Sequence, residues 1–292
     1  MEGKTDHRSA ELYRRGAQVY RWLALQARVW QPATYRALQQ VRLAAGQSAV
    51  DVGCGTCEVL PLLAERVGAT GCVTGLDLDG ALAEQALRNL CSQPPLAALP
   101  GVCRIVAGDV LALPQLTGEP FDLVFARSLV FEARTPLARL ALLRRLWALV
   151  RSGGSLLVIE PDVTAMRPLA PDATFERATQ LARRAWLADQ RDPATGTQLP
   201  MLLEAAGIGP ADGCDVSGAI LPAEPSAALL RSVLGELRQT IIGAALADER
   251  ALHRLDGDLA AAATDNKVSL RWPDLVATWK HKKDPSRHVA GP

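Results

Sequence analysis

Between residues 48 and 160 the chain repeats one pattern. A short apolar run ends in a turn rich in Gly, Asp or Pro, and a stretch with helical spacing follows. The runs fall at 48–52, 72–79, 103–106, 121–127 and 155–159, with helical stretches at 58–67, 81–90 and 137–150. Near-continuous apolar strands require cover on both faces, and a helix between successive strands makes them parallel. The pattern therefore predicts an α/β fold, Rossmann-like and doubly wound, with a mostly parallel sheet.

The flanks add helix. Residues 11–43 read as one or two amphipathic helices interrupted near Pro32. Beyond 165 come helical stretches at 172–190 and 196–206, a strand around 213–221 and helical runs at 226–246 and 248–263. Residues 268–280 are rich in Val, Trp and Leu and are expected to close the sheet as an antiparallel edge strand. The division is one domain: cap helices at 1–45, a ligand-binding core at 46–165, helices and a cap insertion at 166–264, and the closing strand with a basic tail at 265–292.

Charge excludes several partners. Thirty-two Lys and Arg balance 31 Asp and Glu, so no global field draws nucleic acid or anionic lipid. The basic end around Lys280, Lys282 and Lys283 lacks the interleaved aromatics that would stack bases. No apolar run reaches the ~20 residues that span a bilayer, and the first residues lack a signal-peptide core. Six cysteines in 292 residues are too sparse for a disulfide scaffold, so a reducing, cytoplasmic setting is expected. No nucleic acid or membrane partner is expected, and a homodimer is allowed for.

The most informative turn is Asp51-Val52-Gly53-Cys54-Gly55-Thr56-Cys57. Glycines where a strand enters a helix let a ligand approach backbone N–H groups at the positive end of the helix dipole. Three chemistries compete for such a turn. A dinucleotide fingerprint needs a third glycine where this chain has Glu58, and a carboxylate there repels a pyrophosphate. Cys54 and Cys57 form a C-x-x-C pair, which a redox or metal site would use, but the other cysteines are scattered and complete no zinc set. No metal is expected, and small residues packing under a helix is the plainer role for both thiols.

The third chemistry comes with a resemblance. The acid-x-Gly-x-Gly turn resembles the first motif of the class I S-adenosylmethionine (SAM)-dependent methyltransferases, and further matches follow in order. Asp77 ends the second strand, where the family's acid binds the ribose hydroxyls, with Leu78 beside it. Gly108-Asp109-Val110 stands where the family meets adenine. Phe121-Asp122-Leu123-Val124 leads to the fourth-strand loop with Arg127, and Leu149 to Gly154 resembles the turn before strand five. The family usually has a glycine where this chain has Cys57. The resemblance implies S-adenosyl-L-methionine as cofactor, held by Asp51, Gly53, Cys54, Gly55, Asp77, Leu78, Gly108, Asp109, Val110 and Arg127.

More widely, the chain resembles the ubiquinone/menaquinone-methyltransferase-like group. This implies methyl transfer to a small, apolar or aromatic, natural-product or quinone-like acceptor, with O- or N-transfer favoured and C-transfer open. A SAM-binding protein that does not methylate is the alternative, and a nicotinamide-dependent oxidoreductase stands behind it. Candidates for a base are Glu132, Glu160, Asp162 and His253. Trp30, Phe131 and Trp186 are the candidates for an acceptor pocket, and Trp22 could join them.

Overall fold

The computed structural model describes residues 7–99, 101–113, 120–264 and 268–284, with side chains from Leu23 onward. Helix α1 (His7–Leu38) leads into β1 (Ser48–Val52), α2 (Leu60–Val67), β2 (Cys72–Asp77), α3 (Gly80–Cys91) and β3 (Cys103–Ala107). The core continues with β4 (Phe121–Arg127), α4 (Pro136–Leu149) and β5 (Val150–Asp162). After these come β6 (Arg167–Pro168), α5 (Ala173–Ala188), α6 (Thr195–Ala205), β7 (Gly213–Pro222), α7 (Ala223–Glu236), α8 (Arg238–Gly243), α9 (Glu249–Ala262) and β8 (Ser269–His281).

One sheet runs β3-β2-β1-β4-β5-β8-β6, and β7 also pairs with β8. The contiguous set β3, β2, β1, β4 and β5 is parallel, while β8 is antiparallel to its neighbours. The expected fold class is therefore present, with one difference: residues 268–280 are not an edge. β8 lies between β5 and β7, and every residue of its core from Leu275 to Ala277 is buried. β7 takes the outer position with alternating exposure, Ser217 turned inward and Val216 and Ile220 exposed.

Period-two alternation explains the two cores. Ala49, Leu123, Phe125, Leu157 and Ile159 point into the cluster shared with α2, α5 and α7. Their neighbours Val50, Val52, Val124, Leu156 and Val158 point to the opposite cluster with Leu143 and Leu146 of α4 and Leu203 of α6.

Three local expectations change. α1 runs through Pro32 without interruption, because Arg28 and Pro32 both lie on its exposed face, where water can take the released carbonyl. The run expected at 226–246 is broken at Leu237 into α7 and α8. The basic end is not free: Lys280 reaches Asp212 at 2.6 Å, and Lys282 donates to the carbonyls of Trp147 and Val150. Lys280 also belongs to β8, so backbone pairing, not charge, places it.

Parallel strands bring their carboxyl ends to one edge, where open α/β sheets bind ligands. β8 runs the other way, with Asp162 opposite Asp274. Its first residues, including Trp272, consequently arrive at the same edge.

Candidate functional site

A cavity of about 750 Å³ opens at this edge, within the range of small-molecule sites. One end is backbone. β1 hands over to a turn in which Gly53 (φ 77°) and Gly55 (φ 49°) adopt the left-handed region. Gly53 and Cys54 both donate to the carbonyl of Leu76, which straps the turn to the end of β2. Gly55 N–H donates to Asp77 Oδ2 at 2.7 Å, and Asp79 N–H donates to Oδ1 at 2.9 Å. Asp77 is thereby aimed at the turn, while Asp79 caps α3 through Leu82 N–H.

Cys57 occupies the same backbone region with φ 60°, which explains why the related family places glycine there. Its thiol is buried and lies 3.9 Å from Cys54 Sγ, and both cysteines are free. The contact with Cys57, with burial second, pushes the Cys54 thiol well above its ordinary range. Cys54 Sγ fills space over Gly75, where an added Cβ would lie 2.9 Å from it. These are the marks of packed thiols.

Asp51 sits beneath the turn, buried, with its carboxyl pushed up to about 7 by burial, against Arg127 and assisted by Asp77. Arg127 donates to Thr34 Oγ1 at 3.0 Å, which ties the end of β4 to α1. Burial pulls its guanidinium down, and Asp51 and Glu58 oppose that.

The other end is built from side chains. Ser128 turns the chain after β4 with φ 58° and leads into Leu129–Glu132. Glu160 anchors this loop from below: fully buried, it accepts the N–H groups of Leu129 (2.9 Å), Val130 (2.8 Å) and Phe131 (3.0 Å). Burial pushes its carboxyl up to about 8 although those three donors pull it down. Phe131 meets Trp186 edge to face, with centroids 5.8 Å apart.

Arg191 closes this wall. α5 ends in a Schellman-type turn with Gln190 at φ 64°, and Arg191 N–H donates to the carbonyl of Trp186. The guanidinium then reaches Glu236 at 2.9 Å, Glu132 at 3.0 Å and Asp189 at 3.1 Å, and lies 5.9 Å from the Phe131 ring centre. The protein packed around Glu132 pushes its carboxyl up to about 7 although the side chain stays half exposed, with Arg191 opposing and Glu236 and Asp189 adding to the rise.

Of the residues expected at the site, Gly53, Gly55, Asp77, Arg127, Trp30, Phe131, Trp186 and Glu132 line the cavity. Asp51, Cys54, Leu78, Gly108, Asp109 and Val110 do not. Asp51 and Cys54 lie beneath the turn, Val110 is buried in the opposite core, and Leu78 and Asp109 are exposed. Three of the four candidate bases fall elsewhere. Glu160 is spent on the loop, Asp162 caps the next turn through Thr164 N–H, and His253 is exposed on α9. The side chain of Trp22 lies outside those described. Trp272, Arg191 and Glu236 were missed, since each comes from a different distant segment and none sits in a recognisable motif.

The fit of the expected cofactor is testable on the turn itself. A Cβ at Gly55 would meet no heavy atom within 4 Å, and Gly55 lines the cavity, so the turn leaves open room beside its backbone. With Asp77 as an acceptor next to it, the residues fit a nucleoside with a cationic amino-acid end.

Residues 49–154 match a family described as a methyltransferase domain. A 2-phytyl-1,4-naphtoquinone methyltransferase from Nostoc punctiforme is 37% identical over 98 residues, 33% of this chain and 40% of that protein. A trans-aconitate 2-methyltransferase from Rhizobium rhizogenes is 35% identical over 125 residues, 43% of each. The chain spans less than half the length of these curated relatives. Among solved structures, a putative methyltransferase from Bacillus halodurans C-125 superposes with TM-score 0.54 at 16% identity, covering 85% of this chain and 97% of that one. That likeness is one of fold.

Proposed function

Because residues 49–154 form a methyltransferase domain of the class I SAM-dependent family, with S-adenosyl-L-methionine as its cofactor, we propose that the whole chain methylates a small, largely apolar or aromatic, quinone-like molecule. The observation that carries this reading is the single cavity that joins Gly53, Gly55 and Asp77 to Phe131, Trp186 and Trp272. When bound, S-adenosyl-L-methionine supplies an electrophilic methyl group on a sulfonium.

The chain's residues divide the remaining work. Asp77 accepts the ribose hydroxyls with the lone pairs left over from Gly55 and Asp79. The Gly53–Gly55 backbone and Arg127 meet the amino-acid end. Phe131, Trp186 and Trp272 wall off water and align the acceptor, and such alignment is worth up to ~7–11 kcal/mol in favourable systems. Glu132 is the cavity-lining base, with an affinity for protons suited to a hydroxyl or amine acceptor near neutral pH.

The two relatives are named for very different acceptors, a naphthoquinone and a tricarboxylate. The cavity favours the first class. Arg191 is already matched by three carboxylates, and Arg238 pairs with Glu249, so little cationic capacity is left for a polyanion. The cavity segment of 226–264 is the end of α7 and the start of α8, with Val233, Glu236 and Gln239, and this stretch closes over the acceptor. The test is calorimetry with S-adenosyl-L-methionine, S-adenosylhomocysteine and NAD, followed by transfer of labelled methyl into a panel of aromatic hydroxyl and amine acceptors. Binding of both adenosyl ligands and labelling of a panel member are expected. NAD binding, or adenosyl binding with no transfer to any acceptor, would overturn the proposal.

A further inference from the structure

A carboxylate held one to one by an arginine is a poor base, because the guanidinium stabilises its charged form. The strongest such pairs are bidentate, with two parallel N–H donors on one carboxylate. Glu132 escapes that arrangement. Each nitrogen of Arg191 meets a different residue: Nη1 reaches Glu236 Oε1 at 2.9 Å, Nη2 reaches Glu132 Oε2 at 3.0 Å and Nε lies 3.1 Å from Asp189 Oδ2. The contact with Glu236 is a hydrogen bond, whereas Nε makes none.

The charges around Glu132 come from several elements. The end of α5 brings Asp189 and Arg191, the loop itself brings Arg134, α7 brings Glu236, and β5 places Glu160 beneath. Arg134 pairs with Asp189 at 3.2 Å, which leaves Glu132 and Glu236 to share Arg191, two acids to one base. Arg191 is buried, while both glutamates stay partly exposed and line the cavity. A clamp that only fastened α7 to the end of α5 would need one carboxylate on this guanidinium. The second one repels the first across it. Glu236 also differs in origin, since it ends α7, in the cap stretch that closes over the acceptor.

Resting on the reading of Glu132 as the base, we propose that Glu236 is a positioning residue for methyl transfer: it occupies the Arg191 guanidinium, denies Glu132 a full counter-ion and leaves the Glu132 carboxylate free to take the acceptor's proton. The acceptor loses its O–H or N–H proton to Glu132 as its lone pair takes the methyl group, and the bonding pair of the broken C–S bond stays on sulfur. Glu236 touches neither the acceptor nor the methyl group in this role. It acts through Arg191, so the cap serves the chemistry as well as covering it.

The test follows the Glu132 side-chain carboxyl by NMR as pH is varied, in the full chain labelled with ¹³C at glutamate, the resonance being identified by its loss in Glu132→Gln. Removing a like charge favours the ionised form, so Glu236→Gln should move the Glu132 midpoint towards acid by about half a unit or more. Glu84→Gln, which removes the same charge from the exposed pair with Arg88 on α3, should leave it in place. Arg191→Gln should move it the opposite way, towards alkali. A midpoint that stays put or rises in Glu236→Gln, an equal shift in Glu84→Gln, or a wild-type midpoint in the ordinary glutamate range overturns the proposal. If Arg191→Gln fails to fold, Glu236→Gln still decides, because it keeps the shape of a partly exposed side chain. Calorimetry with S-adenosyl-L-methionine on the same samples separates the two readings. No cofactor binding defeats methyl transfer, whereas cofactor binding with an unmoved Glu132 midpoint defeats only the role of Glu236.

Discussion

The two ends of the cavity are made in different ways. At the cofactor end, Gly53, Gly55 and Asp77 lie within 25 consecutive residues, and the binding atoms are largely backbone. At the acceptor end, Trp30, Phe131, Trp186 with Arg191, Glu236 and Trp272 come from five separate places in the chain. A backbone site depends on a few dihedral angles and tolerates change elsewhere. A side-chain site depends on every element that delivers a residue.

The largest effect should come from Glu160, which accepts three N–H groups of the loop at the acceptor end. Glu160→Ala removes the partner of three buried N–H groups, each costing ~1–3 kcal/mol when left unpaired. Loss of ~3 kcal/mol or more in urea unfolding is expected, together with loss of methyl transfer. An unchanged unfolding midpoint would show that the loop holds itself.

Next comes Glu132. Its carboxyl is raised to about 7, so the form able to accept a proton grows as pH rises through 7, and kcat/KM should climb to a plateau above that value. Glu132→Gln should lower kcat by roughly 10²-fold or more and flatten that limb, leaving S-adenosyl-L-methionine affinity in place. A limb that persists in the variant would assign it to another group.

Asp77→Ala should weaken S-adenosyl-L-methionine binding by ~1.5–3 kcal/mol in calorimetry, since a charged acceptor is lost. Asp79→Ala should leave affinity alone and cost about 1 kcal/mol of stability, because Asp79 only caps α3. Equal affinities for Asp77→Ala and wild type would move the ribose contact elsewhere.

The smallest effect is expected at the thiols. Cys57 already adopts a glycine-like φ, and Cys54 fills space over Gly75, so Cys54→Ala with Cys57→Gly should hold affinity and turnover within a fewfold. Loss of wild-type activity on mild oxidation, absent in the double variant, would instead give the pair a redox role.

What was legible in the sequence follows this division. Strand–helix alternation determined the doubly wound sheet, and the Gly53–Gly55 turn lies against Asp77 as expected, because each depends on neighbours close in sequence. Both thiols are buried, as small packing residues would be, and Cys54, expected also as a cofactor contact, does not line the cavity. Misreadings arose where an outcome depended on distant partners. Residues 268–280 have the composition of a strand, but only the pairing of β8 with both β5 and β7 placed it inside the sheet and brought Trp272 to the ligand edge. Four carboxylate or histidine candidates looked alike as bases. Tertiary structure gave Glu160 to the loop, Asp162 to a cap and His253 to solvent, and left Glu132 in the cavity. Arg191 reached the wall through the turn that ends α5, with Gln190 where glycine would have advertised it. The sequence alone determined what local backbone geometry requires. Which side chains converge was decided by long-range packing, whose contacts no short stretch of residues contains.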